Sequence, residues 1–240
     1  MPRRSYNIPE MTITYYKIRG RGISLREYRR LCPDPLSFLV AVLARPFGGI
    51  APAWSVPVLD HIPEVELDEL PKAAARALDR HAGRFEDEGY RVLFHYELPL
   101  LERERVTAGT VLLSNDSWSM AQVLYLKNVE ETQVGLTVGC WCEDSTYATV
   151  TGRRLELDPP PGNRIERYIG ASAGELVDHF LQHAAEWDRK EGMRAIKLDD
   201  PTVRRLLVEV EQQAAQFYVN RGVLVRMTAQ ELARQGIEAD

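Results

Sequence analysis

The sequence predicts an α+β fold: an antiparallel β-meander of four to six strands flanked by N- and C-terminal helices. Three observations carry this. Val134, Leu136, Val138 and Cys140 alternate with Gly135, Thr137, Gly139 and Trp141. That period of two sends neighbouring side chains to opposite faces of a strand. Further strand-like runs stand close before and after, joined by segments shorter than the dozen or more residues that parallel neighbours need. Helical patterns at 68–88 and 173–190 bracket the runs and supply a cover for one sheet face.

Residues 1–65 read as a wrapping segment with short helices. Met11 to Ile18 has strand character. Arg19-Gly20-Arg21-Gly22 lacks both the third glycine of a dinucleotide loop and the Gly-Lys-Ser/Thr of a phosphate loop. Ser24 and Glu27 form a capping box, so a short helix follows and ends before Pro33. Asp34-Pro35 opens the next helix. It carries the most apolar stretch, Leu36 to Ala44, which is far short of the roughly 20 residues of a membrane span. A buried core helix is the expectation there, with membrane contact as the alternative. Four prolines, Pro46, Pro52, Pro57 and Pro63, make the stretch up to residue 63 an irregular strap.

Residues 66–192 form the helix–meander–helix core. Leu67, Leu70, Ala74, Leu78, His81 and Phe85 recur at helical spacing, with Pro71 admissible only in the first turn and Gly89 placed to end the helix. Strands are expected at 91–98, 110–114, 120–126, 134–140 and 147–151. In the 134–141 run, the face holding Leu136, Val138 and Cys140 is apolar enough to be buried. The other face is small apart from Trp141, which leaves room for a backbone or a ligand. The proline-rich break at 158–163 precedes a possible strand at 164–169. Ser172 and Glu175 then cap a helix whose apolar face is Leu176, Phe180, Ala184 and Trp187. Residues 193–240 are a helical C-terminal tail: a helix from Asp199 to Asn220, a short strand at 223–227, and a third capping box at Thr228 and Glu231.

Composition bounds the function without naming it. A net charge of −5 argues against a nucleic-acid surface for the chain as a whole. Residues 1–30 are an exception, with eight basic residues against two acidic ones. Three cysteines cannot all pair internally, and no apolar leader follows Met1, so a reducing cytoplasm is expected.

One constellation suggests chemistry. His179 and His183 lie four apart on the second helix, and Cys140 and Cys142 lie two apart at a strand end. Two histidines with two cysteines, or with a carboxylate and water, suit tetrahedral zinc. Phe180 stands where a metalloprotease helix has its glutamate, and the bland alternative is a wet helix edge plus two reduced thiols. A Cys142–His95 pair across the sheet is conceivable. Ser114, Asp116, Ser117 and Ser119 fit a turn, and no nucleophile elbow is present. The leading expectation is a non-catalytic binding or regulatory protein for a protein partner or small molecule, with no membrane span. The alternatives are a zinc enzyme using His179 and His183, and a binder of an anionic polymer through the basic N-terminal segment.

Overall fold

A computed structural model of the protein describes residues 12–32, 34–45, 49, 55–102, 104–129, 131–153 and 157–237. The α+β class holds. The main sheet has seven strands: β3 (Glu64–Val65), β4 (Tyr90–Glu97), β5 (Val106–Ser114), β6 (Met120–Lys127), β7 (Thr132–Trp141), β8 (Tyr147–Thr151) and β9 (Arg164–Arg167), adjacent in that order. The seventh strand is β3, a two-residue addition at one edge, while β9 falls within the strand expected at 164–169. From β3 to β8 every pairing is antiparallel. β9 runs parallel to β8. The segment between Thr151 and Arg164, which holds the prolines, is long enough to carry the chain back before β9 begins.

Two helices cover one face, α3 (Lys72–Asp87) and α4 (Ala173–Glu191). Leu78, Phe85, Leu176 and Phe180 meet Leu112, Val123, Val138 and Val150 in a single buried cluster. Each such side chain contributes about 1.5–3 kcal/mol on burial. α3 starts four residues later than the pattern predicts. A short 3-10 turn, Leu67–Glu69, takes the apolar periodicity first, and Pro71 is the helix cap rather than a first-turn residue. Pro71 keeps Leu70 extended, so the α-helix begins beyond it. At α4 the Ser172–Glu175 capping box is present, and Gly192 ends the helix in the left-handed conformation at φ 66°.

The N-terminal segment and the tail come together. β1 (Ile13–Ile18) lies between β2 (Ser55–Leu59) and β10 (Leu224–Arg226) in a three-stranded antiparallel sheet. β2 falls within the stretch expected to be irregular. Its Pro57 donates no hydrogen bond, and the strand survives because it lies at the sheet edge. The other tail elements are α5 (Asp200–Asn220) and α6 (Ala229–Arg234), the latter tied back to β1 by Lys17 and Glu231.

α1 (Leu25–Leu31) carries the link between the chain's two ends. Ser24 and Glu27 form the expected capping box, but Glu27 does more. It is fully buried and accepts two hydrogen bonds from Arg221, at 2.9 and 2.5 Å, as well as the Asp158 backbone N–H at 2.8 Å. Burial alone would raise its pKa. The bonds from Arg221, Asp158 and Ser24 outweigh that and hold the carboxyl down at about 2.

α2 (Pro35–Ala44) corrects the expectation of a buried core helix. Only Phe38 and Ala41 turn inward, onto Ile23 and Tyr28 of the α1 segment, while Leu36, Leu39, Val40 and Leu43 are exposed. The helix sits at the edge of the molecule, where its small satellite core has room for one side only.

Candidate functional site

The two faces of the main sheet differ, and the difference begins in β4. Tyr90 and Val92 face the α3–α4 layer, but a β-bulge between Val92 and Phe94 shifts the register by one residue. Past it, Phe94 and Tyr96 point to the opposite face. Two glycines let side chains lie flat against that face. A Cβ on Gly109 of β5 would lie 2.4 Å from the Tyr96 ring, and one on Gly135 of β7 would lie 2.3 Å from the Arg153 side chain. Any other residue at these positions would push Tyr96 or Arg153 off the sheet.

α5 packs part of this face, with Val203 against the cluster of Phe94, Val111, Leu113, Met120 and Trp141, and together with β2 roofs the rest without filling it. Tyr96, Gln122, Leu124 and Leu126 form the floor of a cavity of about 380 Å³, and Leu207, Val208 and Glu211 of α5 form its ceiling. β2 walls one side, and the Gln212 side chain donates to the Leu59 carbonyl at 2.9 Å, holding roof to wall.

The polar groups are not scattered. Gln122 donates to the Tyr96 hydroxyl at 2.7 Å. Burial, with Glu211 next in effect, pushes that hydroxyl up from its ordinary value. Glu211 is solvent-exposed where it lines the cavity. Burial pushes its carboxyl up, and the positive charge of Arg153 opposes the shift. Tyr96, Gln122, Arg153 and Glu211 thus form one polar pole. At another part of the lining, Glu102 accepts from the Ser55 backbone N–H at 2.5 Å and from Arg105 at 3.0 Å. No protein-family model, curated protein or solved structure matches this chain.

The residues singled out from sequence lie elsewhere. His179 and His183 do share one side of α4, and Tyr168 engages both. Its ring stacks on His179 with centroids 3.7 Å apart, and its hydroxyl stands 2.7 Å from His183 Nε2. Glu175 is occupied in its capping box, and Glu186 pairs with Lys190. Cys140 and Cys142 lie side by side under a shallow hollow lined by Trp118, Trp187 and Met193, with neither histidine in the lining. The hydrogen bond with Cys142, followed by burial, pushes the Cys140 thiol up, so Cys140 keeps its proton. Among the described residues no three histidine, cysteine or acidic side chains come together to hold a metal ion.

The Cys142–His95 pair does not form. β5 and β6 lie between β4 and β7, which alone separates the two by about 14 Å. His95 bonds Thr110 instead, at 2.8 Å. His81, on the apolar stripe of α3, has its Nδ1 buried without a hydrogen-bond partner among the described residues. In the basic segment, Lys17 and Arg30 are paired with Glu231 and Asp158, whereas Arg19, Arg21, Arg26 and Arg29 are exposed. Arg3 and Arg4 lie outside the described residues.

Sequence reasoning missed the cavity residues because they come from β4, β6, the turn after β8, and α5. Two signals were there. Gly109 and Gly135 interrupt strands, and Glu211 falls one helical turn from both Leu207 and Ala214 on an otherwise apolar stripe.

Proposed function

We propose that this is a binding protein that holds an amphipathic small molecule between the second face of the sheet and α5. The observation that carries the reading is the cavity itself. Its volume of about 380 Å³ has leucine, valine and proline walls and one cluster of hydrogen-bonding groups at Tyr96, Gln122, Arg153 and Glu211. Small-molecule sites combine an apolar enclosure of this size with a few convergent polar groups. The apolar body of a ligand would lie along Leu124, Leu126 and Leu207, with its polar head at the pole.

Binding is favoured over hydrolytic chemistry by the spacing along β2. Ser55 and His61 both line the cavity, but the strand from Ser55 to Leu59 alone spans roughly 13 Å. A nucleophile and its base need hydrogen-bond contact. The Ser55 hydroxyl stands 3.2 Å from Glu102, and His61 contacts Asp60 at 2.7 Å.

The test uses the full chain and the amphipathic fluorophore anilinonaphthalene sulfonate. One saturable site is expected, lost in Leu124→Trp and in Val208→Trp, each of which fills the cavity from a different side. It should survive Leu39→Glu, which alters only the exposed face of α2. Folded Leu124→Trp and Val208→Trp proteins that bind the probe as the parent does would overturn the reading.

A further inference from the structure

α2 presents an apolar face that nothing among the described residues covers. Leu36, Leu39, Val40 and Leu43 are 70, 53, 47 and 64% exposed. They recur at intervals of three and four, so they share one side, opposite the inward Phe38 and Ala41. Single exposed leucines need no explanation, whereas four on one helix face mark an interaction surface.

The charges beside it decide what fits. α2 packs on the α1 segment through Ile23 and Tyr28. That segment carries exposed Arg19, Arg21, Arg26 and Arg29, none of which is in an ion pair among the described residues, together with exposed Leu25. The acids of this region are already engaged. Glu27 holds Arg221, and Asp34 accepts from the Ser37 backbone N–H and hydroxyl. An apolar stripe on one helix, with exposed arginines outside any described ion pair on the segment packed behind it, suits a helix lying in the interface of an anionic bilayer, leucines in the acyl boundary and guanidinium groups at the headgroups. A second copy of the same surface would set eight arginines against one another across a two-fold axis. α2 has ten residues, about 15 Å of helix, half the hydrocarbon thickness, and no helix among the described residues is long and apolar enough to cross a membrane.

We infer that the α2 face, with Leu25 and the four arginines, attaches the protein peripherally to an anionic lipid surface. This attachment is independent of the cavity. Leu36, Leu39, Val40 and Leu43 enter the bilayer boundary, and Arg26 and Arg29 contact lipid phosphates or carboxylates.

Flotation with lipid vesicles tests it on the full chain. The protein should float with phosphatidylcholine vesicles carrying about one third phosphatidylserine, and should stay in solution with phosphatidylcholine alone. Leu39→Glu/Leu43→Glu should abolish flotation while circular dichroism and fluorophore binding in the cavity stay unchanged. Arg26→Gln and Arg29→Gln should each weaken attachment about fivefold, and added salt should weaken it further. Three outcomes overturn the inference: a parent protein that does not float with anionic vesicles, equal flotation with neutral ones, or flotation indifferent to Leu39→Glu/Leu43→Glu. A dimer in sedimentation that Leu39→Glu/Leu43→Glu dissociates, without flotation, would assign the face to a second copy instead.

Discussion

The two faces of the main sheet are built from the same strands at alternate positions, yet one is solid and the other is packed only in part and hollow for the rest. Under α3 and α4, Leu112, Val123, Val138 and Val150 interdigitate with Leu78, Phe85 and Leu176, all of them almost fully buried. On the other face Val111, Leu113, Met120 and Trp141 pack with Phe94, Leu198 and Val203, but beside them the alternate positions are Gly109, Gln122, Leu124 and Gly135, with Tyr96 delivered by the bulge in β4. Close packing is how a face stabilises. A face with two glycines and a glutamine gives up that packing, and what it gains is a bounded space with oriented polar groups. The difference separates a face that holds the fold together from the one on which the proposed binding function rests.

Mutations can break or sharpen this contrast. The largest effect is expected on the solid face: Phe85→Ala should cost about 3–5 kcal/mol, while Leu124→Ala, beside an existing cavity, should cost only about 2 kcal/mol. Denaturant titration of both variants measures the gap, and equal costs would dissolve the distinction. Next is the tether of the roof. Arg221→Ala leaves the Glu27 carboxylate buried without its cation, at about 3 kcal/mol. Fluorophore binding should weaken before the main sheet melts, because β1, β2 and β10 support the cavity wall. Acid should act in the same direction. A carboxyl held at about 2 contributes stability that is complete above its unfolded value, roughly 4.3, and is lost as pH falls from there toward 2.

Smaller effects follow on each side. Gly109→Ala should cost about 1–3 kcal/mol and distort the cavity floor, since the new methyl group must displace Tyr96. On the solid side, burial lowers the pKa of both His81 and His95, so the folded state takes up protons less readily than the unfolded one. Stability should therefore decline as pH drops through roughly 6.5, and His81→Gln should flatten that slope in a pH series of melting curves. The smallest effect is at Glu211. Its raised pKa means that folding disfavours the ionised form, so stability is lost as pH rises through the folded value. Glu211→Gln should leave the protein slightly more stable at neutral pH, measured by denaturant titration.

Local physics made much of the solid face legible from sequence. Period-two alternation placed Leu136, Val138 and Cys140 on the buried side, and the Ser172–Glu175 capping box placed the start of α4. The room expected beside Gly135 exists, though the Arg153 side chain occupies it. The hollow face was opaque for identifiable reasons. A bulge reverses the parity of β4 without any marker residue, Pro57 disguises β2, and Glu211 and Arg153 meet only through tertiary structure. The apolarity of α2 was plain, but its burial was not, because composition cannot say how much partner surface a helix at the molecular edge will find.

The pairing of β1 with β10, in which Tyr16 faces Arg226, has a consequence for the order of events during synthesis. Strands β4 to β8 pair with sequence neighbours and can assemble as they leave the ribosome, at the modest entropic cost of short loops. β1 emerges first but must wait for residues more than two hundred positions downstream to complete its sheet. Until then the edge of β1 that β10 covers, and Ile23 and Tyr28, which pack with Val223, are open to solvent, a window in which a nascent chain is most exposed to chaperones or to its neighbours. The Glu27–Arg221 bridge joins residues 194 positions apart, so Arg221→Ala should leave the early meander signal of refolding untouched.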